Sequence, residues 1–340
     1  MNIRAVRIQD VANVAGVSTA TVSRALSNPE LLSEATRRTV MEAIRTTGYR
    51  VNRAARNLRK QRAGAVLVLV PNLGNPFFSQ ILAGLSQGFS DNEYSVLILD
   101  TDHLQDDRGI LDYFLDSRID GMITLDGRLS LRTLELLTAN SVADRVVCAC
   151  EWVAGAELPS VRSDNARGVE LAIRHLHGLG HRRIAHVTGP EGNVLTHARR
   201  EAFRAMCADL DLPIRDDWII RGDFSMQSGR MAAGHILSLP ARDRPTAVFC
   251  AADGTAFGLI AGLAAAGLRI PQDMSVVGFD DIGLAEHYIP ALTTIRQDRL
   301  ALGRQAAGLL KSRLSGADDA PAGPVRLVDV ELIVRASTAR

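Results

Sequence analysis

From Ala65 onward, short apolar runs alternate with longer amphipathic segments along the chain. The runs are as long as strands, for example Ala65–Val70, Tyr94–Asp100 and Gly121–Leu125, and the segments between them carry apolar residues at helical spacing. Repeated strand–helix units favour mostly parallel sheets that are covered by helices on both faces. About 275 residues are generous for one such sheet and suit two. We therefore predict an α/β body with two lobes and doubly wound parallel sheets.

The chain is expected to pass between the two lobes more than once. A change of composition near Gly155–Pro159 marks the first predicted boundary, and Pro290–Thr294 marks a predicted return. The body is predicted to span residues 63–340. Lobe one is predicted to comprise residues 63–158 and 294–322, and lobe two residues 160–290 and 324–340.

The sequence favours a cytoplasmic protein. Its longest apolar runs have about the length of a strand, whereas a spanning helix needs about 20 apolar residues. The first residues, Met1–Arg7, lack the apolar segment of a secretory signal. The four cysteines contain no Cys-x-x-Cys pair, and we expect them to be reduced core residues.

A basic segment precedes the body. Residues 1–62 contain twelve Arg or Lys and four Asp or Glu, whereas the rest of the chain contains 27 basic and 34 acidic residues. This asymmetry suggests that the small segment meets a polyanion, with nucleic acid as the first candidate and an anionic membrane surface as the second. A solvated basic tail is the other interpretation of the charge alone.

The basic segment has the pattern of three short helices and not that of a tail. Apolar residues recur at helical spacing within residues 8–15, 22–26 and 40–44. Gly16 can end the first helix with a positive φ, and Ser18 can cap the second. Ser33 and Gly48 are predicted to begin and end the third helix. Residues 1–50 are therefore predicted to form an α-helical helix-turn-helix head.

In a helix-turn-helix, the second helix lies in the major groove and presents its N-terminal residues to base edges. Arg24 can bond a guanine through both guanidinium arms, and Thr19 and Ala20 are small enough to approach a thymine methyl. A glycine-bearing helical hairpin without DNA binding is the alternative. The predicted DNA contacts of this helix are Ser18, Thr19, Ala20, Thr21, Ser23 and Arg24.

Residues 51–62 are predicted to form a hinge helix or linker. One large apolar residue, Leu58, lies among basic neighbours, which suits a wedge in the minor groove with the cations on phosphates. A linker in which Leu58 packs on the next domain is the alternative. The predicted DNA contacts of this segment are Asn52, Arg53, Arg56, Leu58 and Arg59.

A ligand site is predicted where the strands of the body end. Open parallel sheets bind ligands beyond the C-terminal ends of their strands. Phe77 and Phe78 are placed to stack on a flat ligand face, and Asn75 and Asp280 are placed to bond hydroxyls. Other interpretations remain open, because Asn75 can cap a helix, the phenylalanines can belong to the core and Asp280 can be a turn residue.

Both parts of the chain resemble the lac repressor (LacI/GalR) family of bacterial transcription regulators. The resemblance rests on Ile8–Ala12, Ala15–Leu26, Gly48-Tyr49, Pro71–Phe78, Ile119–Gly121, Leu179–Ile184, Val276–Asp281 and Leu292–Ile295. It implies that Thr19, Ala20 and Arg24 read an operator and that Leu58 intercalates. The body would then be a two-lobed, periplasmic-binding-protein-like effector domain.

Carried over residue by residue, the resemblance implies an effector site in the body. The implied contacts are Asn75, Phe77, Phe78, Arg199, Phe224, Asp280 and Gln297. Where many sugar-binding members have Asp followed by another polar residue, this chain has Glu151 and Trp152, and Glu151 is expected to take over a hydroxyl contact. Asp253 follows Ala252, where some members have Asn, and is a further candidate. Arg199 as a solvated helix residue is the alternative.

Within the family, the chain looks most like the cytidine-repressor-like branch. This resemblance rests on Ser18–Leu26, on His197 and Arg199, and on Arg221–Phe224. A nucleoside is therefore expected as an effector class beside a sugar or a polyol. Hydroxyl acceptors and an aromatic wall suit all three classes.

The resemblance implies a repressor that binds a pseudo-palindromic double-stranded operator as a homodimer. A small sugar-like ligand would control its operator affinity allosterically, without a cofactor. The alternative is a cytoplasmic sugar-binding or sugar-modifying protein whose basic segment is an interaction arm. An enzyme is not expected, because the Gly-x-Ser-x-Gly pattern at Gly84–Gly88 lies in a predicted helix. The histidines form no metal-ligand pattern, and no dinucleotide or Walker motif occurs.

Overall fold

The computed structural model describes residues 6–50, 57, 61–90, 94–102, 109–316 and 325–340. Contacts divide the chain into two compact units, Met1–Arg62 and Ala63–Arg340, and each is described by itself. No described helix combines the length and the apolar character that a membrane span requires.

The first unit is helical. Its helices are α1 (Ile8–Ala15), α2 (Thr19–Ser27) and α3 (Glu34–Thr47), with a 3-10 turn at Pro29–Leu31. Their apolar faces meet in one small core of Val11, Ala12, Val22, Ala25, Val40 and Ala43. The apolar spacing in the sequence therefore marks the faces that pack together.

Local backbone geometry fixes the turn between α1 and α2. Gly16 ends α1 with a φ of +64°, a conformation that glycine adopts without a steric penalty. The hydroxyl of Ser18 accepts a hydrogen bond from the backbone N–H of Thr21 (3.1 Å) and so caps α2. Ser33 caps α3 in the same way, and Gly48 ends it with a φ of +66°. The predicted helix-turn-helix is confirmed.

The second unit contains two six-stranded sheets. The first has the order β11-β5-β4-β3-β1-β2 and the second the order β12-β10-β9-β8-β6-β7. Neighbouring described strands are parallel, except that β12 runs antiparallel to β10. The strands are β1 (Ala65–Val70), β2 (Ser95–Asp100), β3 (Gly121–Thr124), β4 (Val146–Ala149), β5 (Ser160–Ser163), β6 (Ile184–Val187), β7 (Ile219–Ile220), β8 (Ala247–Cys250), β9 (Ser275–Asp280), β10 (Thr293–Gln297), β11 (Val325–Val328) and β12 (Val330–Ile333).

Helices cover both faces of each sheet. In β1, Val66, Val68 and Val70 pack into one core and Leu67 and Leu69 into another, so that every residue of this apolar run is buried. The helices of this unit are α4 (Phe77–Gly88), α5 (Ile110–Leu115), α6 (Leu131–Ala139), α7 (Asn165–Gly178), α8 (Val194–Asp209), α9 (Met226–Ser238), α10 (Asp253–Ala265), α11 (Leu284–His287) and α12 (Arg299–Ser315). The predicted doubly wound α/β fold is confirmed.

The chain crosses between the sheets three times, after Ser163, after Gln297 and after Val328. We call these points the crossovers. The predicted lobe limits are therefore wrong at three strands, because β5 and β11 belong to the first sheet and β10 belongs to the second. The described residues within 63–163 and 298–328 form the observed lobe one, and those within 164–297 and 329–340 form lobe two.

The physical reason for this difference is that prolines and glycines mark loops, whereas the crossovers need none. Gly155–Pro159 lies in the loop between β4 and β5, within lobe one. Pro290 precedes β10 within lobe two. At the crossovers themselves, extended residues such as Ser163 and Gln297 continue directly into polar helix caps, Asp164 and Asp298.

Helices α4 and α12 approach each other closely through glycines. A β-carbon at Gly303 would lie 2.2 Å from the carbonyl oxygen of Ile81, and one at Gly84 would lie 2.3 Å from the carbonyl oxygen of Leu300. A β-carbon at Gly88 would lie 2.4 Å from Ala307 Cβ. Helix packing therefore accounts for the glycines of the Gly-x-Ser-x-Gly pattern.

The glycine contact predicts a matched pair of stability changes. Gly303→Ala should destabilise the second unit by about 1–3 kcal/mol, because the new methyl group overlaps the backbone of α4. Gly308→Ala, on the same helix but with open space around it, should be neutral or stabilise by up to about 1 kcal/mol. Urea unfolding of both variants checks this. Equal free energies of unfolding would contradict the packing interpretation.

Candidate functional site

The N-terminal half of α2 presents a small polar surface. Ala20, Ser23 and Arg24 are exposed, whereas Val22 is fully buried and anchors the helix. Ser18 and Thr21 are joined at their hydroxyls (2.9 Å), so the cap and the following turn hold each other in place. The side chain of Arg24 is thus free of the core and can extend into a major groove.

The predicted hinge contacts, Asn52, Arg53, Arg56, Leu58 and Arg59, lie outside the described residues. The insertion of Leu58 into a minor groove stays a prediction.

An interlobe cavity of about 410 Å³ lies where strands of both sheets end. Segments that follow β1, β4, β7, β8 and β9 contribute to it, together with the first turns of α8. The predicted residues that line it are Asn75, Phe77, Phe78, Glu151, Arg199, Phe224 and Asp280. A volume in this range is typical of small-molecule sites.

Arg199 is the most deeply buried cation of the cavity, with 2% of its surface exposed. Its Nε donates to Asn165 Oδ1 (2.8 Å), its Nη1 donates to the carbonyl oxygen of Ala251, and its guanidinium lies 3.8 Å from the ring centroid of Phe279. Burial lowers the pKa of Arg199, and the nearby carboxyl of Asp280 acts in the opposite direction. Among the described residues Nη2 has no partner, so this arm is available to a ligand.

Asp280 ends β9 in a strained conformation. Its φ is +125° and that of Asp281 is +51°, values that favour glycine. Burial raises the pKa of Asp280 to about 6, while the charges of Arg199 and Arg299 act in the opposite direction. Asp280 and Arg199 both line the cavity, and the pair suits the hydroxyls of a ligand.

Two predicted residues, Asp253 and Gln297, do not line the cavity. The carboxyl of Asp253 accepts from the backbone N–H of Ile282 (2.9 Å) and from the hydroxyl of Thr294 (2.5 Å). Gln297 Nε2 donates to Asp280 Oδ1 (2.7 Å). Through these hydrogen bonds they support the strained turn and the carboxyl of Asp280 instead of lining the cavity.

Aromatic rings form the apolar walls. Phe77 and Phe78 are in edge-to-face contact, with ring centroids 5.1 Å apart. Phe224 adopts a φ of +69°, and a β-carbon at Gly189 would lie 2.1 Å from its ring. The ring of Phe224 therefore packs directly against Gly189, and a side chain at position 189 would displace it.

Glu151 lines the cavity but is already engaged on both oxygens. Oε2 accepts from the backbone N–H of Gly127 (2.9 Å), and Oε1 accepts from Asn193 Nδ2 (2.9 Å). Asn193 caps α8 in lobe two, so this carboxyl joins the two lobes across the cavity. Burial raises the pKa of Glu151, and the hydrogen bonds from Asn193 and Gly127 act in the opposite direction.

Several lining residues were missed by the sequence reasoning. Leu195 precedes Arg199 by one helical turn of α8, a spacing that could have placed both on the same face. Met226 and Ile282 follow Phe224 and Asp280 by two residues, and no sequence signal distinguishes them from ordinary loop residues. Within the described residues, no group of three or more His, Cys, Asp or Glu side chains is placed to hold a metal ion.

Comparisons with known proteins agree with this fold. The model of bacterial regulatory proteins of the lacI family matches residues 7–52, and the model of the periplasmic binding protein-like domain matches residues 173–338. The chain is 37% identical over 335 residues to the HTH-type transcriptional repressor CytR of Escherichia coli K12. These residues are 98% of this chain and 96% of that protein. The chain belongs to the LacI family.

Other LacI-family proteins extend the comparison. The repressor PurR of Aliivibrio fischeri is 33% identical, over 92% of each chain. The lac repressor dimer bound to operator and the anti-inducer ONPF has a TM-score of 0.81 and 27% identity, over 99% of this chain and 100% of that one. A ribose-bound family member from Enterococcus faecium has a TM-score of 0.71 and 30% identity, over 81% of this chain and 98% of that one. The named relatives are regulators and not enzymes.

The raised pKa of Asp280 predicts a pH-dependent effect on stability. The folded-state pKa of Asp280 is about 6 and lies above the ordinary value of 3.8. Ionisation of Asp280 therefore lowers the free energy of unfolding as the pH rises between these values, and the whole decrease is present above pH 6. Asp280→Asn keeps the acceptor for Gln297 and should be more stable than the wild type by up to about 3 kcal/mol near neutral pH.

Urea unfolding near pH 4.5 and near pH 7.5 measures this difference. The advantage of Asp280→Asn should shrink towards the acidic condition, since the wild-type carboxyl is then protonated in the folded chain. An advantage that is the same at both pH values would mean that the ionisation of Asp280 is not its cause.

Proposed function

We propose that this LacI-family chain is a transcriptional repressor that binds a pseudo-palindromic operator as a homodimer in the cytoplasm. A small hydroxylated ligand in the interlobe cavity sets its operator affinity. The observation that carries the proposal is that the buried Arg199 and Asp280 both line a cavity to which both lobes contribute residues. A ligand that binds there contacts both lobes at once.

The coupling to DNA follows from this placement. A ligand that bonds both lobes favours one angle between them, and a change of that angle reaches the DNA-binding heads through the segment that links head and body. Such coupling is typically about 1–3 kcal/mol. The operator-bound dimer of the lac repressor, similar over 99% of this chain, supports a two-fold arrangement.

A nucleoside is the effector class that we propose to test first, although the cavity also suits a sugar or a polyol. The charged groups Arg199 and Asp280 lie at one end, where they suit the hydroxyls of a sugar ring. Phe77, Phe78 and Phe224 supply flat apolar walls for a base. A monosaccharide is the second candidate, because a ribose-bound family member is 30% identical to this chain.

The alternative of a sugar-modifying protein with an interaction arm has little left to support it. The helix-turn-helix head matches the lacI family over residues 7–52, and the repressor relatives span nearly the whole chain. The Gly-x-Ser-x-Gly serine, Ser86, lies in the last turn of α4 and not after a strand.

The DNA-binding proposal predicts a loss of base recognition when Arg24 is shortened. Arg24→Ala should weaken binding to operator fragments selected by the wild type by about 5–150-fold, the typical value of one good base contact. Arg38→Ala removes the same charge from an exposed position on α3 and should change the affinity far less. Fluorescence anisotropy at fixed salt measures both. Equal losses of operator affinity in the two variants would mean that Arg24 contributes only its charge.

The effector proposal predicts that Arg199 is required for ligand binding. A panel of nucleosides, monosaccharides, disaccharides and polyols is screened by thermal unfolding, because a ligand that binds only the folded state raises the midpoint. Arg199→Met should abolish the shift that the wild type shows. Arg204→Met, on the exposed face of the same helix, should retain it. A shift that survives in Arg199→Met would remove this residue from the site.

A further inference from the structure

A continuous series of hydrogen bonds joins the two charged side chains of the interlobe cavity through the protein interior. Arg199 Nε donates to Asn165 Oδ1 (2.8 Å), and Asn165 Nδ2 donates to the carbonyl oxygen of Ser163 (2.9 Å). The hydroxyl of Ser163 donates to Gln297 Oε1 (2.6 Å), and Gln297 Nε2 donates to Asp280 Oδ1 (2.7 Å). We call these five residues the polar relay.

Every bond of the polar relay points in the same direction, from the guanidinium to the carboxyl. Each side-chain amide donates on one side and accepts on the other, so neither amide can reverse without losing two hydrogen bonds. The exposed fractions of Ser163, Asn165 and Gln297 are 3%, 7% and 3%. At such burial hydrogen bonds reinforce one another, and a broken link leaves a partner without a substitute from water.

The polar relay passes through two of the three crossovers. Ser163 is the last residue of β5 in the first sheet, and Gln297 is the last residue of β10 in the second. The bond between Ser163 Oγ and Gln297 Oε1 is therefore the link of the relay at which the two sheets meet. The backbone N–H of Asp164 donates to the carbonyl oxygen of Val328 (3.0 Å) and ties the third crossover to the first.

A change in the angle between the lobes must alter the Ser163–Gln297 bond, because its two ends belong to different sheets. The same bond orients the amide that holds Asp280, while Ser163 also holds the amide that orients Arg199. None of the three intermediate residues, Ser163, Asn165 and Gln297, is among the described residues that line the cavity.

We propose that Ser163, Asn165 and Gln297 are positioning residues that lock Arg199 and Asp280 into one mutual geometry and make that geometry depend on the angle between the lobes. The inference deepens the proposed function and rests on it, since the cavity is taken to bind the effector. Ligand recognition and lobe rotation are then two effects of the same hydrogen-bond series.

The first test needs no ligand. Hydrogen exchange of the intact chain is followed in peptides that span residues 294–300, in the wild type and in Ser163→Ala. The loss of the link between the sheets should speed exchange there by at least about fivefold. Ser160→Ala removes a fully buried hydroxyl from the same strand and should stay within about twofold of the wild type. Ser163→Thr keeps a hydroxyl and should restore slow exchange, which separates the link from a general loss of folding.

The second test uses cytidine as the probe in titration calorimetry of the intact chain. Ser163→Ala should weaken cytidine binding by at least about fivefold, and Ser163→Thr and Ser160→Ala should retain wild-type affinity. Wild-type exchange in Ser163→Ala, or an unchanged affinity for cytidine in that variant, overturns the polar relay. A wild type that binds no member of the ligand panel refutes the effector proposal instead, and the exchange experiment then decides the relay by itself.

Discussion

Arg199 and Asp280 are almost completely buried, and much of the effector domain is arranged around the free energy of removing these charges from water. Burying a charge is strongly unfavourable, and hydrogen bonds and the opposite charge nearby reduce this cost without cancelling it for Asp280, whose pKa stays raised. Asn165, the carbonyl of Ala251 and the ring of Phe279 surround the cation, and Gln297 holds the carboxyl. A ligand that bonds these groups completes a set of interactions that the protein alone leaves open.

Strained backbone conformations occur next to these buried charges, at the ends of strands and in the loops that follow them. Cys150, Phe224 and Asp280 each adopt a positive φ although none is glycine, and all three line the interlobe cavity. Such conformations persist only where the surroundings determine them. Here glycines at 189 and 254 admit the backbone and ring of Phe224, and Asp253 holds the turn after Asp280. The strained residues and the residues that hold them in place therefore lie on neighbouring loops.

The sequence was sufficient for the fold where burial and local geometry act over a few residues. The unbroken apolar run of β1, the glycine at position 16 and the cap at Ser18 each have one structural solution. It was insufficient where the direction of a side chain decides its role. Gln297 and Asp253 follow strand ends as Asp280 does, yet they point to supporting positions. The crossovers escaped prediction because extended backbone continues into a polar cap without a proline or glycine.

The three crossovers affect how the protein folds while it is being synthesised. The first half of lobe one ends at Ser163, but its core includes Leu302, Ala306 and Leu310 of α12, and its sheet includes β11. At ribosomal rates, roughly 10–30 seconds separate the synthesis of these parts. During that interval the nascent lobe exposes the apolar face that α12 later covers. The nascent chain is therefore most prone to aggregation until α12 has been synthesised and can cover this face.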